Sequence, residues 1–428
     1  MIALALFIVL LIVSLVFGLS MLIPLCAGML LFGGAAKARG AVLKDVMRDA
    51  LTGVKDSMVV VRIMLMIGLL TGLWRQSGTI AYFVDAGVRL MPPALYLPAM
   101  FLLSSFMSFA LGTSFGVSAT CGVILMAVCR AGGWNELLSA GAILSGIYVG
   151  DRGSPAASSA SLVAAVTGTD ARRNVRWMLK DSLAPYIACL VLYTALALLF
   201  PADRCDLTVL DMMKSEFSLS PWCLLPAAVM LILPFCGVKI VWSMAASTVV
   251  SAVTACLVQG ADVLSVLKSA FLGYTAREAH LSQIFSGGGL MSMVEVSLVL
   301  LVSCTYSGIF RSAGLLDKTD KWLLAIRKKL GRTNLVILLS LAVSAVFCNQ
   351  TIGIIMTASL SRCLYGSDEG HAYMADIEDS AVPCAALVPW CIAFSVPAGM
   401  VGRGAEVLPL TFWLWLVPLW AAVRRGRK

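Results

Sequence analysis

The chain has 428 residues, 60% of them hydrophobic and only 13% charged, with a mean hydropathy of +0.93; soluble domains carry about 25% charged residues, so a water-soluble enzyme is excluded. The formal charge of +9 does not point to nucleic acid, because the basic residues fall in short stretches between apolar runs and not on one continuous face. Thirteen cysteines without C-x-x-C spacing and two histidines, His280 and His371, leave little for a zinc ribbon, a disulfide scaffold, a haem or a Ser-His-Asp triad, and the cysteines read as small apolar packing residues.

A membrane helix needs about 20 mostly apolar residues. Runs of that kind are predicted near 2–18, 20–34, 57–74, 92–110, 114–130, 138–166, 183–200, 221–236, 240–258, 288–310, 334–348, 350–362, 378–401 and 405–423, which makes this an all-α, polytopic membrane protein. Several of these runs are too short or too broken to be simple spans. The first, Met1 to Leu19, lacks a basic n-region and a small-residue cleavage site and is read as a helix, not a signal peptide.

Four basic stretches ask to be cytoplasmic. They are 35–56 (Lys37, Arg39, Lys44, Arg48, Lys55), 168–182 (Arg172, Arg173, Arg176, Lys180), 311–332 (Arg311, Lys318, Lys321, Arg327, Lys328, Lys329, Arg332) and the tail from Arg424 to Lys428. Whether all four can share one side depends on counting 114–130 and 350–362 as crossings or as re-entrant hairpins, and both counts stay open. Lys239 reads as a cytoplasmic loop charge, and Phe412, Trp413, Trp415 and Trp420 as an interfacial belt.

Three blocks recur in one order. Thr71-Gly72-Leu73-Trp74-Arg75-Gln76-Ser77-Gly78 matches Ser307-Gly308-Ile309-Phe310-Arg311-Ser312-Ala313-Gly314 at an offset of 307 − 71 = 236. Thr113-Ser114-Phe115-Gly116 matches Gln350-Thr351-Ile352-Gly353 at 353 − 116 = 237, and Asp151-x-x-x-Pro155-x-Ala157 matches Asp379-x-x-x-Pro383-x-Ala385 at 379 − 151 = 228. A duplication of this kind places the substrate site at mid-membrane, where interrupted helices expose backbone groups.

The polar stretches inside the apolar runs carry the chemistry. Gly112 to Thr120 is rich in Gly, Ser and Thr; broken helix and hydroxyls suit a small hard cation, and small residues at a helix contact are the alternative. It also reads G-x-S-x-G, but no base is placed to serve a nucleophile. At Gly150-Asp151-Arg152-Gly153-Ser154-Pro155 the glycines and proline predict an unwound segment. A charge at the bilayer centre costs about 2.5–3.5 kcal/mol on insertion scales, so Asp151 is either a carboxylate for a proton or cation, or the partner of Arg152 at a wet loop.

Asn349-Gln350-Thr351 supplies amides and a hydroxyl in the second half. Asp376, Glu378 and Asp379 either bind substrate or mark a helix N-terminus; two carboxylates brought close would repel, and one would then hold a proton near neutrality. Glu295 reads equally as a structural partner of a neighbouring helix or a substrate ligand.

These stretches resemble the NhaC family of Na⁺/H⁺ antiporters, which includes malate/lactate and amino-acid exchangers. The likeness runs from about Leu51 to Arg403. It is carried by Gly68-Leu69-Leu70-Thr71-Gly72, Ser77-Gly78-Thr79-Ile80, Gly112-Thr113-Ser114, Gly141 to Gly146, the G-D-[KR]-x-S-P block at Gly150–Pro155, Ser286 to Leu290, Ile377-Glu378-Asp379-Ser380 and Pro389-Trp390. The chain departs from the family at several points. Ala156-Ala157-Ser158-Ser159-Ala160 stands for S-D-T-T-N, Asn349-Gln350-Thr351 for D-Q-Y, and Pro389-Trp390-Cys391 for P-W-N, while Val382, Pro383, Cys384 and Ala385 replace hydroxyls. Fewer oxygens weaken a Na⁺ site.

The resemblance implies an inverted-repeat ion-transporter fold with re-entrant hairpins and broken helices. The expected units are N-terminal helices and loop over 1–54, a first repeat over 55–200, connecting helices over 201–289 and a second repeat over 290–428. The expected activity is secondary antiport of protons against Na⁺ or a small solute in a bacterial inner membrane, with amino-acid or organic-acid exchange as the alternative and no enzymatic role. Asp151 and Asp379 are the expected proton carriers and Na⁺ ligands, Glu378 tunes or shares that role, and Thr113, Ser114, Ser154, Asn349 and Thr351 are neutral ligands. Transported Na⁺ and H⁺ are the only ions expected, with no cofactor. Lipid and the solute are the expected partners, and a homodimer is left open. An intramembrane aspartyl protease fits the paired acids but not the G-x-G-D signature, since Tyr148 holds the first Gly position. A channel is the third class, separable by whether flux saturates.

Overall fold

The computed structural model describes residues 42–201, 207–312 and 320–426, together with 20, 22–38 and, before them, 6, 7, 9–11, 13, 14 and 17. Most of the predicted first helix, Arg39, Lys318 and the tail residues Arg427 and Lys428 lie outside the described residues, as do the side chains of Arg311 and Lys321 and most of those in the Ser307–Gly314 block. Among the described residues the chain is helical, with one isolated antiparallel bridge between Tyr274 and Gly287.

In chain order the helices are α1 (Leu22–Ala38), α2 (Leu43–Gln76), α3 (Thr79–Leu90), α4 (Tyr96–Leu111), α5 (Ser114–Ala131), α6 (Glu136–Gly153), α7 (Ser158–Thr167), α8 (Ala171–Asp181) and α9 (Leu183–Leu199). Then come α10 (Leu207–Glu216), α11 (Leu225–Phe235), α12 (Ile240–Val258), α13 (Val263–Leu272), α14 (Ala279–Phe285), α15 (Val294–Ser312) and α16 (Asp320–Leu330). The chain ends with α17 (Arg332–Phe347), α18 (Gln350–Ser361), α19 (Gly370–Ala385), α20 (Ile392–Met400) and α21 (Phe412–Arg425).

A framework is built from α2, which lies along α12, α13 and α15, with α1 against α15. Glycines make the closest approach possible: the Gly289 N–H donates to the Gly68 carbonyl at 2.8 Å, and a Cβ on Gly68 would sit 2.6 Å from the Gly289 carbonyl oxygen. Thus two of the Gly-rich stretches meet each other.

Inside the framework stand two units of the same design. In the first, α4 and α5 form a hairpin whose bend is Gly112, left-handed at φ 65°, followed by extended Thr113. In the second, α17 and α18 form a hairpin whose bend is Cys348 at φ 55°, followed by extended Asn349. The bends are 348 − 112 = 236 residues apart, so the backbone equates Thr113 with Asn349 and Ser114 with Gln350, one residue off the sequence pairing. Buried serines follow the same register: Ser104 and Ser108 on α4, Ser340 and Ser344 on α17.

Both hairpins double back on themselves. Their outer ends come back together, Tyr96 against the Trp134 ring at 5.3 Å and the Arg332 guanidinium over the Tyr365 ring at 4.6 Å. Their tips stop at a helix break. A Cβ on Gly112 would lie 2.6 Å from the Ala156 carbonyl oxygen, and the Cys348 carbonyl accepts the Ile392 N–H at 3.0 Å.

The runs 138–166 and 378–401 are each two helices. α6 breaks at 154–157 before α7, and α19 breaks at 386–391 before α20. Helix starts (370 − 136) and restarts (392 − 158) both differ by 234. Beyond the breaks the halves exchange partners: α7 lies against α18 and α19, and α20 against α5.

This register corrects two expectations. Asp151 lies 151 − 136 = 15 residues past the start of α6, whereas Asp379 lies only 379 − 370 = 9 past the start of α19, so the offset of 228 does not relate equivalent positions. Asp376 is six residues inside α19 (376 − 370), so the reading of the acids as a helix N-terminus fails, because the macrodipole is felt only in the first turn. The aromatic belt is also only partial: Trp413 is buried and Phe412 packs on the Tyr193 ring at 5.0 Å. Glu295 accepts a hydrogen bond from Ser20 Oγ at 2.5 Å, which ties α15 to the residues before α1.

Candidate functional site

The two hairpin tips and the end of α6 converge on Asp151. The Gly-rich end of α6 packs against the serine face of α4, where Ser108 Oγ accepts the Gly150 N–H at 3.1 Å and donates to the Ile147 carbonyl. Close packing here fixes the height of Asp151, which is 3% exposed. Gln350 Nε2, from the second tip, donates to Asp151 Oδ2 at 2.8 Å and to the Val382 carbonyl at 3.2 Å. Ser114, its equivalent at the first tip, brings its backbone N–H toward the same carboxylate. Ser159 Oγ donates to the Asp151 carbonyl across the break, and Tyr148 lies beside Asp151, Ser114 and Cys391.

Glu378 is fully buried, and neither of its carboxylate oxygens has a hydrogen-bond partner among the described residues. Its charged neighbours are Arg152, Asp379 and Asp151. An isolated buried carboxylate costs several kcal/mol as an anion, so this position calls for a cation or a proton.

Asp379 has a different setting. Arg152 holds one of its carboxylate oxygens and Arg425, from the last turn of α21, holds the other. The network extends outward. Arg152 also donates to Ser182 Oγ and lies 3.9 Å from Asp181; Arg424 pairs with Asp181; Arg425 reaches Asp376 at 3.1 Å. Asp376 takes further bonds from Thr333 Oγ1 at 3.0 Å and Tyr365 OH at 2.7 Å. Arg332 from the basic stretch 311–332 and Arg424 and Arg425 from the tail are therefore bound up at one end of the molecule with Asp181, Asp376 and Asp379.

The neutral candidates divide in the same way. Thr113 Oγ1 is buried without a partner among the described residues. Ser154 Oγ is committed, donating to the Phe109 carbonyl at 2.6 Å and accepting the Ala156 N–H at 3.1 Å. Asn349 caps α18, its Oδ1 accepting the Thr351 and Ile352 N–H groups at 2.9 and 3.3 Å. Thr351 is exposed.

Two buried carboxyls thus lie where two hairpin tips meet two broken helices, and discontinuous helices at a repeat interface are where carriers place substrate and ion sites. The chain matches the sequence model of the Na⁺/H⁺ antiporter family over residues 1–172 and 146–423. It belongs to that family. It is similar to the malate-2H⁺/Na⁺-lactate antiporter of Bacillus subtilis, 26% identical over 402 residues that cover 90% of this chain and 85% of that one. It is also similar to the Na⁺/H⁺ antiporter NhaC of Alkalihalophilus pseudofirmus, 23% identical over 87% of this chain and 83% of the relative. The arginine/ornithine antiporter ArcD of Halobacterium salinarum is 25% identical over 87% of this chain and 79% of its own length. The protein is thus a multi-pass secondary antiporter with an all-α, inverted-repeat fold.

Two residues of this family member escaped the sequence reading. Gln350 reads as one of the two amides in Asn349-Gln350-Thr351, and only the register of 236 residues sets it opposite Ser114. Arg425 reads as a tail charge that orients the protein, whereas its guanidinium is largely buried against three acids.

Proposed function

We propose that the protein exchanges protons for Na⁺ across a bacterial inner membrane, with Asp151 as the carboxyl that holds each in turn. One observation carries the reading: Asp151 is buried at the junction of both tips, and its side chain has an amide, not an arginine, for a partner. A carboxylate paired with a neutral donor has charge left for a cation; Asp379, held between two arginines, does not. Glu378 is the second acid of the site and supplies proton capacity beside it. The units that move are α4–α7 and α17–α20, joined through the connecting helices of 201–289, and the basic end of the molecule faces the cytoplasm.

The test is proton flux in proteoliposomes. Na⁺ added to one side should drive a saturable pH change in the wild type and none above background in Asp151→Asn. A response that survives in Asp151→Asn removes Asp151 from the role.

A second reading, exchange of an organic acid or amino acid, is favoured by one feature. A half-open groove of about 330 Å³ lies between α7 and α8 beside the α6 break, its wall mostly apolar (Pro155, Ala160, Ala171, Val175) with the exposed Arg172 and Arg176 alongside, and it has room for a small solute that bears a carboxylate. Malate and arginine, added in place of Na⁺, separate the two readings.

A further inference from the structure

The amide of Gln350 sits where two ligand oxygens meet. Its Nε2 lies 2.8 Å from Asp151 Oδ2 and 3.2 Å from the Val382 carbonyl oxygen. Both neighbours are acceptors, so the NH₂ end of the amide faces them, and both of its hydrogens are spent there. The Val382 carbonyl is one of the last in α19. The N–H that would cap it from within the helix belongs to Ala386, which instead donates to the Pro383 and Cys384 carbonyls. Gln350 therefore satisfies both a helix-end carbonyl, at the negative end of a macrodipole, and a buried carboxylate. Those two oxygens are the ligand types that hard monovalent cations take in broken-helix carriers.

We propose that the NH₂ group of Gln350 occupies the position of the transported cation when the site is empty, and that Gln350 turns to become a ligand when the cation arrives. This rests on the reading of Asp151 as the cation site. A cation between Asp151 Oδ2 and the Val382 carbonyl repels the amide hydrogens and attracts the amide oxygen. Rotation of the amide end for end withdraws the donor, presents Oε1, and completes a set of three oxygens from α6, α18 and α19. The same rotation exchanges a direct tie between the second hairpin tip and α19 for a tie through the cation. Loading is thereby signalled to the hairpin, which is the element that must hold shut in one state and release in the other. Gln350 is a ligand and a positioning residue in one side chain, and no residue at the first tip duplicates it, since the equivalent Ser114 has a shorter side chain.

The experiment titrates Na⁺ against proton flux in proteoliposomes, and in parallel records the Na⁺-dependent rise in melting temperature of purified protein. Gln350→Leu, which keeps the bulk and removes both donor and acceptor, should raise the KM for Na⁺ by about tenfold or more, equivalent to 1.4 kcal/mol, and should shrink the melting shift. Gln350→Glu removes the placeholder hydrogens and adds a charged oxygen; it should lower both KM and Vmax, because the cation binds more tightly and leaves more slowly. A merely structural role predicts the same loss in both variants. Wild-type KM in both variants, or an equal rise in both, overturns the proposal while leaving Asp151 in place if Asp151→Asn is inactive. Na⁺-driven flux in Asp151→Asn, or none in the wild type, overturns the underlying reading and this proposal with it.

Discussion

Asp151 and Asp379 look alike in the sequence, each an acid followed after three residues by a proline in an apolar run, yet the fold gives them opposite surroundings. Asp151 stands at the end of α6, where the chain breaks, and faces neutral groups from two hairpin tips. Asp379 stands in the middle of α19 and is neutralised by Arg152 and Arg425. The difference teaches that the charge left on a buried acid is set by the partners the fold brings to it and not by its neighbours in the chain. Arg152, adjacent to Asp151 in the chain, turns its charge to Asp379 instead, because successive residues of a helix point about 100° apart.

The strongest way to break this comparison is to neutralise each acid alone. Asp151→Asn should lower Na⁺-driven flux by about 100-fold or more, while its stability in detergent, followed by thermal unfolding, changes by less than about 1 kcal/mol, since an amide oxygen still accepts from Gln350. Asp379→Ala should do the reverse. It leaves Arg152 buried without its nearest acid and should destabilise by about 3–5 kcal/mol, with transport surviving in the fraction that folds. If Asp379→Ala unfolds at the wild-type temperature but loses transport, the assignment of roles is inverted.

The two tips offer a finer comparison. Gly112→Ala forces a side chain into a left-handed residue and against the Ala156 backbone, and should cost about 2 kcal/mol or more in stability. Cys348 already bears the left-handed strain, as the one non-glycine residue with positive φ among the described residues. Cys348→Gly should therefore be the smallest change, a gain of up to about 1 kcal/mol, offset in part by the greater freedom of glycine in the unfolded chain. A loss above about 1 kcal/mol would mean that the thiol, and not the backbone, holds the second bend.

Much of the architecture is legible in the residues. Apolar runs mark the helices, the glycines and proline at 150–155 mark the break in α6, and Gly112 marks the first bend, because each of these signals acts through the local backbone. The second bend is harder to read, since Cys348 carries no glycine signal and is held by the Ser344 carbonyl and the Ile392 N–H. The repeat is legible as a fact but not in register. Its hairpins keep an offset of 236 and its broken helices 234, and identities between polar residues drew the third block to 228. The buried Ser104, Ser108, Ser340 and Ser344 keep the true register, but serines in apolar helices are too common to stand out before packing is known.

By itself the sequence determined a polytopic membrane protein with interrupted helices, because bilayer insertion and helix breaking depend on short stretches of chain, and its match to the family model placed it among the Na⁺/H⁺ antiporters. Only the tertiary structure decided that Asp151 has no arginine partner, which arginines neutralise Asp379, and that Gln350 bridges Asp151 to α19. Those outcomes depend on contacts between residues from 32 to 227 apart in the chain, and charge balance in a low-dielectric interior is set by such neighbours and not by adjacency along the backbone.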